Sequence, residues 1–466
     1  MKRYVRCLAA MGIAGGMALS AMAARTVSEN LTLTRDTDWS ADVVTVANGV
    51  TIDLNGHVLK VAGLDGSTAA SGVVTSSNGG ELRFVIPAGT TNTLSKTRLA
   101  GNLRVFKEGP GGLVFSLNGQ TYSGGTEIVE GTLAPSTAGS DNAQFGPTMS
   151  EIRIDAGGVF DFKGFTNFVN YKFNLHGGRL HNSGSAIANS KAMLREVNLY
   201  ADSAVSGNQF GILSSSYELT YLNLNNFTLT VDMATQSTIF HICHGMIGEG
   251  TIHLVRGRLN FYGGNSKYQN YAEKTDIVGE VGTDIYVNNN GYLHARSITT
   301  KGRMSGGNWF YVERYVHDVP EGLLCTNSAP LGVSSPKQLI VSFTKKGKGT
   351  LFLGNSNNNY SNGFFAVEGC VKMIQGKGLG ANKVNPVTIS AGATIDINGI
   401  TSGNVAGSVL FAGDGHDGNG AIQNTGAGLD YYYTSPLAAV GVTLTGHASI
   451  GGTGDFALVN PSYGTN

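Results

Sequence analysis

The chain has 466 residues, of which 67 are glycine and only 10 proline, with 41% hydrophobic and 14% charged residues. Glycine at twice the usual ~7% and charge at about half the usual ~25% point to many short strands joined by tight turns. They exclude helices with exposed faces lined by Lys and Glu, and the scarcity of proline excludes a Pro/Gly-rich disordered tract. A balance of 32 basic and 32 acidic residues leaves no broad basic field for nucleic acid or an anionic membrane.

The first segment reads as a cleavable secretory signal over 1–23. Lys2, Arg3 and Arg6 form a basic start, Leu8 to Ala21 is small and apolar, and Ala21-Met22-Ala23 has the small-x-small form that signal peptidase reads. The apolar run is too short to span a bilayer, which takes about 20 residues. Loss of those three basic residues from 32 against 32 acidic ones leaves the mature part with a net charge of −3. No later stretch is apolar enough to cross a membrane as a helix. Residues 24–466 carry no linker rich in Pro or charge and are expected to form a single repetitive domain.

Thr51-Ile52-Asp53-Leu54-Asn55-Gly56 alternates apolar and polar residues and ends on a glycine, the pattern of a short strand running into a turn. A longer block begins at Lys107-Glu-Gly109-Pro-Gly111-Gly-Leu113-Val-Phe115 and runs through Tyr122 to Val129-Glu130-Gly131. It returns 238 residues later, without a gap, as Lys345-Lys-Gly347-Lys-Gly349-Thr-Leu351-Phe-Leu353, Tyr360 and Val367-Glu368-Gly369. Each copy is followed by a second block, Asp155 to Gly164 and Ser390 to Gly399. These place the β-strand repeats near 107–164 and 345–399. Leu222-Asn223-Leu224-Asn225-Asn226 and Ile285-Tyr-Val287-Asn288 are looser relatives. One such unit cannot bury its apolar face alone, whereas stacked units share a continuous core. The predicted fold is therefore all-β, a right-handed parallel β-helix (β-solenoid), with about 20–25 residues per coil. Phe165 to Ser215 and Val316 to Ser335 are weakly patterned and are expected to hold loops or excursions.

Six groups of residues are candidates for sites. Asp53, Asp161 and Asp396 recur just before a turn, so a turn role is expected, with substitution of Asp53 and Asp396 by Asn costing at most ~1 kcal/mol each. His241, Cys243 and His244, with His253 beyond, offer only two residues on one strand face, too few for a metal. Gly413-Asp-Gly-His-Asp-Gly-Asn-Gly420 is a single copy without the period of calcium-binding repeats and reads as a turn. Trp309-Phe310-Tyr311 and Tyr431-Tyr432-Tyr433 could stack on sugars, but core packing explains them as well. Lys345, Lys346 and Lys348 read as a solvated turn. Cys243, Cys325 and Cys370 are an odd, irregular set, neither a disulfide framework nor a zinc site. No catalytic, cofactor-binding or metal residue is assigned, and no cofactor is expected.

The first block, above all Tyr122-Ser123-Gly124-Gly125-Thr126 within Lys107 to Leu133, resembles the autotransporter-associated β-strand repeat of bacterial secreted proteins. The second copy departs from it at Asn362, Phe364 and Val371, and Gly418-Asn-Gly420-Ala-Ile-x-Asn424-x-Gly426 is similar to a connector of that family. The resemblance implies a secreted or surface-displayed structural or adhesive passenger without catalysis, facing surface polysaccharide or other cell-surface proteins. The alternative on the same fold is an extracellular carbohydrate-active or carbohydrate-binding protein. Such passengers continue into a membrane barrel, and the residues up to Asn466 show no strands of that kind. Ser449 to Leu458 resembles the opening of another repeat, so self-association through the C-terminal coil, or a covering partner, is expected.

Overall fold

The computed structural model describes residues 22–459 apart from 68–71, 137–143, 148–149, 167, 189–192, 213–219, 244, 263–269, 289–292, 307–309, 332–341, 357, 377, 381–385, 401–404, 429–436 and 457. The signal segment, His244, Trp309 and Tyr431 to Tyr433 thus lie outside the described residues, except for Met22 and Ala23. Among the described residues every regular element is a strand, and every strand pairing is parallel. The protein is a parallel β-helix, built from short strands that repeat coil after coil. Among the described residues no helix is long and apolar enough to cross a membrane.

The core follows from alternation. Within a strand every second side chain points inward, and parallel register puts the inward residue of one coil over that of the next. One such column runs Leu82, Val105, Thr126, Ile152, Phe173, Val197, Leu222 and Ile247. A second runs Leu229, Ile252, Ile277, Ile298, Tyr315, Phe343, Phe364, Val387 and Val409, all essentially inaccessible to solvent. A third carries Phe240, Leu259, Ile285 and Met304 and continues through Asn327 to Leu353 and Met373, while Leu351, Val371, Ile395 and Ile422 form a parallel column two residues earlier on the upper strands. Full burial of each Val, Leu, Ile or Phe is worth about 1.5–3 kcal/mol, and no single coil could collect that gain alone.

The weakly patterned stretch after Phe165 is not an excursion. It forms the strands Lys172–His176, Arg179–Asn182, Glu196–Ala201, Ser203–Gly207 and Phe210–Ile212. Its core is aromatic instead of aliphatic. Phe115 stacks on Phe145 at 5.2 Å, Phe145 meets Phe160 at 5.2 Å, Phe162 meets Phe210 at 5.3 Å, and Phe210 meets Phe240 at 5.3 Å. Rings at such spacing fill the same width as Leu and Ile ladders, and they blur the aliphatic alternation that reveals a strand. Coil length also varies more than the repeats suggest. Bonded partners in neighbouring coils lie 15 residues apart at Gly302 and His317 but 31 at Asn424 and Asp455.

The two long repeats take the same place within their own coils. Tyr122 and Tyr360 are both buried, at 0% and 1% exposure. They are not, however, one above the other. Lys107 stands in the column that continues through Ile128, Ile154 and Leu175. Lys345 stands in the neighbouring column, reached through His317 and Thr300, which descends from Phe160 and Leu133. The repeat has stepped round the helix by one face.

Candidate functional site

The repeated aspartates join coils. Each accepts the N–H two residues ahead, closing a turn, and a Ser or Thr of the next coil. Asp53 takes Asn55 N at 2.9 Å and Ser77 N at 3.1 Å. Asp161 takes Lys163 N at 3.0 Å and Ser183 N at 2.9 Å. Asp396 takes Asn398 N at 2.9 Å and Thr425 N at 3.0 Å, with the Lys372 ammonium at 3.1 Å. The hydroxyls of Ser77, Ser183 and Thr425 donate to the second carboxylate oxygen. The residues that make these turns, Asn55, Lys163 and Asn398, have φ of 46°, 50° and 54°, a region Asn tolerates better than most residues. Burial raises the Asp53 carboxyl, but the N–H groups of Asn55 and Ser77 and the Ser77 hydroxyl outweigh it and hold it below the usual range.

A second repeated device answers Asp161 and Asp396 from the coil above. Asn182 Oδ1 accepts Gly164 N and Gly184 N, and its amide donates to Ser185 O and Gln209 O. Asn424 does the same with Gly399 N, Gly426 N, Ala427 O and Asp455 O. Both are fully buried. The matching stretches Gly178 to Gly184 and Gly420 to Gly426 share the Gly-x-x-x-Asn-x-Gly spacing, a signal in the sequence for both devices.

Lys345 overturns its assignment to a solvated turn. It and Lys107 are wholly buried. Lys107 Nζ donates to the carbonyls of Glu108, Gly109 and Glu130 at 2.9, 2.6 and 2.9 Å. Lys345 Nζ donates to those of Lys346, Gly347 and Glu368 at 2.8, 2.5 and 2.9 Å. Burial pulls both ammonium groups down to about 8, against the nearby Glu108 and Glu130 for Lys107 and against Cys370, Asp318 and Glu368 for Lys345. The glycines of the repeat make room for them. A Cβ on Gly131 would lie 2.7 Å from Lys107 Nζ, and one on Gly369 would lie 2.8 Å from Lys345 Nζ, each at a φ near 75°. Lys346 and Lys348 are surface residues, Lys348 facing Glu321 at 3.9 Å.

The histidines are not brought together. His241 Nδ1 accepts from the Asn260 amide at 3.1 Å while its Nε2 has no partner, and burial pushes it down to about 4. His253 meets Glu280 at 3.1 Å instead. Burial raises the Cys243 thiol well above its ordinary range, so it is a poor thiolate. Among the described residues no cluster of three or more His, Cys, Asp or Glu could hold a metal. In the Gly413 loop Asp417 accepts Asn419 N at 3.1 Å and Gly420 N donates to Asp414 O at 2.7 Å, which is a closed turn.

Two surface features remain. Tyr221, Met246, Tyr271, His294 and Tyr311 are register partners in successive coils, with His294 and Tyr311 rings 4.6 Å apart. Tyr221 and Met246 are 36% and 39% exposed, whereas Tyr311 at the other end of the row is 7% exposed. Phe310, beside Tyr311, belongs to the core. The other feature is an open groove of about 730 Å³ lined by Gln236, Arg258, Asp284, Arg303, Leu323 and Leu324, among others. Nothing in the local sequence marks it, because its residues come from five successive coils and belong to no repeat. Asp284 is its only carboxylate among the described residues, and both its oxygens are taken: Arg258 Nε lies 3.0 Å away, and the Ser305 hydroxyl 2.6 and 2.9 Å. Compared with protein-family models, curated proteins and solved structures, the chain finds no match.

Proposed function

We propose that this chain is a secreted, non-catalytic β-helix that serves outside the cell as a structural or adhesive rod, of the kind found in autotransporter-associated repeat passengers. One observation supports this above others. Among the ionisable residues that recur between copies, Asp161 and Asp396 and Lys107 and Lys345 have their hydrogen bonds committed to closing turns and joining coils, and the recurring Glu130 and Glu368 give their backbone carbonyls to the two ammonium groups. Repetition here maintains a rod. A reacting centre needs an acid or base left free to move a proton, and two carboxylates flanking a bond if the substrate is a glycan.

Purified protein, incubated with a panel of bacterial and plant polysaccharides, should co-sediment with some of them and release no new reducing ends. Steady release of reducing ends by folded protein, lost on substitution of one carboxylate, would establish the enzymatic alternative instead.

A further inference from the structure

From the groove over Arg258, Asp284 and Arg303 we infer a binding site for an acidic polysaccharide, gripping a uronate-type carboxylate. This rests on the reading of the protein as an extracellular rod and names the glycan class that it meets.

Arg258, Asp284 and Arg303 are register partners on three successive coils. The Asp284 carboxylate is saturated by Arg258 and the Ser305 hydroxyl, and the Arg258 guanidinium also lies over the Tyr286 ring at 5.0 Å. On the next rung the Arg303 side chain is exposed and its guanidinium makes no hydrogen bond or ion pair with the described residues, while its backbone N–H donates to Thr283 O at 2.7 Å. The groove therefore holds two guanidinium groups against one carboxylate, with one of the two uncommitted. A planar, permanently charged fork of that kind binds a carboxylate through two parallel N–H bonds.

The wall beside Arg303 is apolar and open. Val281, Leu323 and Leu324 are 47%, 36% and 69% exposed. Three such residues together are unusual on a surface strand and turn, and they suit the C–H face of a sugar ring. The Gln236 amide on the rim offers both a donor and an acceptor to hydroxyls. A peptide is the less suitable occupant. The strands Arg258–Tyr262, Asp284–Val287 and Arg303–Gly306 are each paired on both sides, so no free edge remains for an extended peptide to join. The groove follows the stacking direction across the coils, which fits a linear chain.

Binding of an oligogalacturonate of defined length, of its methyl ester and of an oligoglutamate of equal charge separates the possibilities. The acidic oligosaccharide should bind with an affinity that falls as salt rises, the ester about tenfold more weakly. Arg303→Gln should cost about tenfold and Leu324→Ser severalfold, with melting unchanged because both side chains are exposed, while Tyr221→Ala should have no effect. Equal binding of acid and ester, an unaffected Arg303→Gln, oligoglutamate binding as tight as the sugar, or no binding of the acidic oligosaccharide would each overturn the assignment. Loss of the groove site alone leaves the rod standing, whereas cleavage of the bound oligosaccharide would overturn the non-catalytic reading and leave the groove in place.

Discussion

Lys107 and Lys345 show how one residue can decide the repeat pattern. A buried ammonium is costly unless its donors are satisfied, and here three carbonyls converge on each. The carbonyls belong to the backbone and cannot be mutated away, so removing the cation leaves buried acceptors unmet. Lys107→Met or Lys345→Met should each lower stability by about 2–4 kcal/mol in chemical unfolding, at about 1–3 kcal/mol per unsatisfied group. A change under about 0.5 kcal/mol would show that water replaces the ammonium. His317 and His241 carry the opposite lesson. His317 accepts from the Tyr315 hydroxyl at Nδ1 and donates from Nε2 to Gly302 O, and burial pushes it down to about 3. Both histidines stay neutral in the fold while the unfolded chain takes up protons below about pH 6.5. Their contribution to stability is complete above pH 6.5 and is lost as pH falls towards 4 for His241 and 3 for His317. At pH 5 the loss should be about 2 kcal/mol for each. His317→Gln should flatten the acid limb of stability against pH, and an unchanged limb would assign that loss to other groups.

At the scale of the element, the three aspartate turns are chemically alike but unequally buried. The expectation of at most ~1 kcal/mol for substitution by Asn suits Asp53, which is only partly buried. It is too small for Asp396, which is 2% exposed and also faces the Lys372 ammonium. In Asp396→Asn one oxygen becomes an amide that points donors at Lys372 Nζ and the Thr425 hydroxyl. The expected cost is about 2–3 kcal/mol, since it leaves a cation unpaired near the core. Thermal melts of the two single variants should therefore differ clearly, and equal shifts would show that the burial difference has no energetic weight.

Across the whole molecule, the ladder is cooperative inside and open at its last described coil. The strand Leu437–Ala448 pairs with Val405–Gly413 along its length, but on its other side pairs with Leu458–Val459 only through Leu437 and Ala438. Val442, Leu444 and Ile450 are consequently 46%, 62% and 49% exposed, while Phe456 and Leu458 pack partly against the core. A row of backbone groups without partners among the described residues, with apolar neighbours, invites another chain. Sedimentation should show association that rises with concentration and disappears in Val442→Lys/Leu444→Lys. A wild-type protein that remains monomeric at high concentration would count against this. Hydrogen exchange should be slowest through the aromatic core from Phe145 to Phe240 and fastest at Gly441 to Ile450, because each coil is stabilised only by its neighbours.

The amino-acid sequence alone determined the strand class, the stacking of coils and the position of the turns. Those depend on features legible along the chain: the local alternation in Ile52 to Asn55, the residues that favour positive φ beside Asp53, Asp161 and Asp396, and the return of one block 238 residues on. The tertiary structure alone decided what the repeated polar residues bond to and which surface residues meet. Lys345 looks like a solvated charge until Glu368, 23 residues away, supplies the third carbonyl. Arg303 becomes notable only when Arg258 and Asp284 are stacked beneath it. Coils whose bonded partners are 15 to 31 residues apart shift the alignment between faces, so no fixed period in the chain says which side chains share a rung. Local alternation is set by adjacent backbone geometry, whereas a groove or a buried cation depends on the sum of all the turns between its parts.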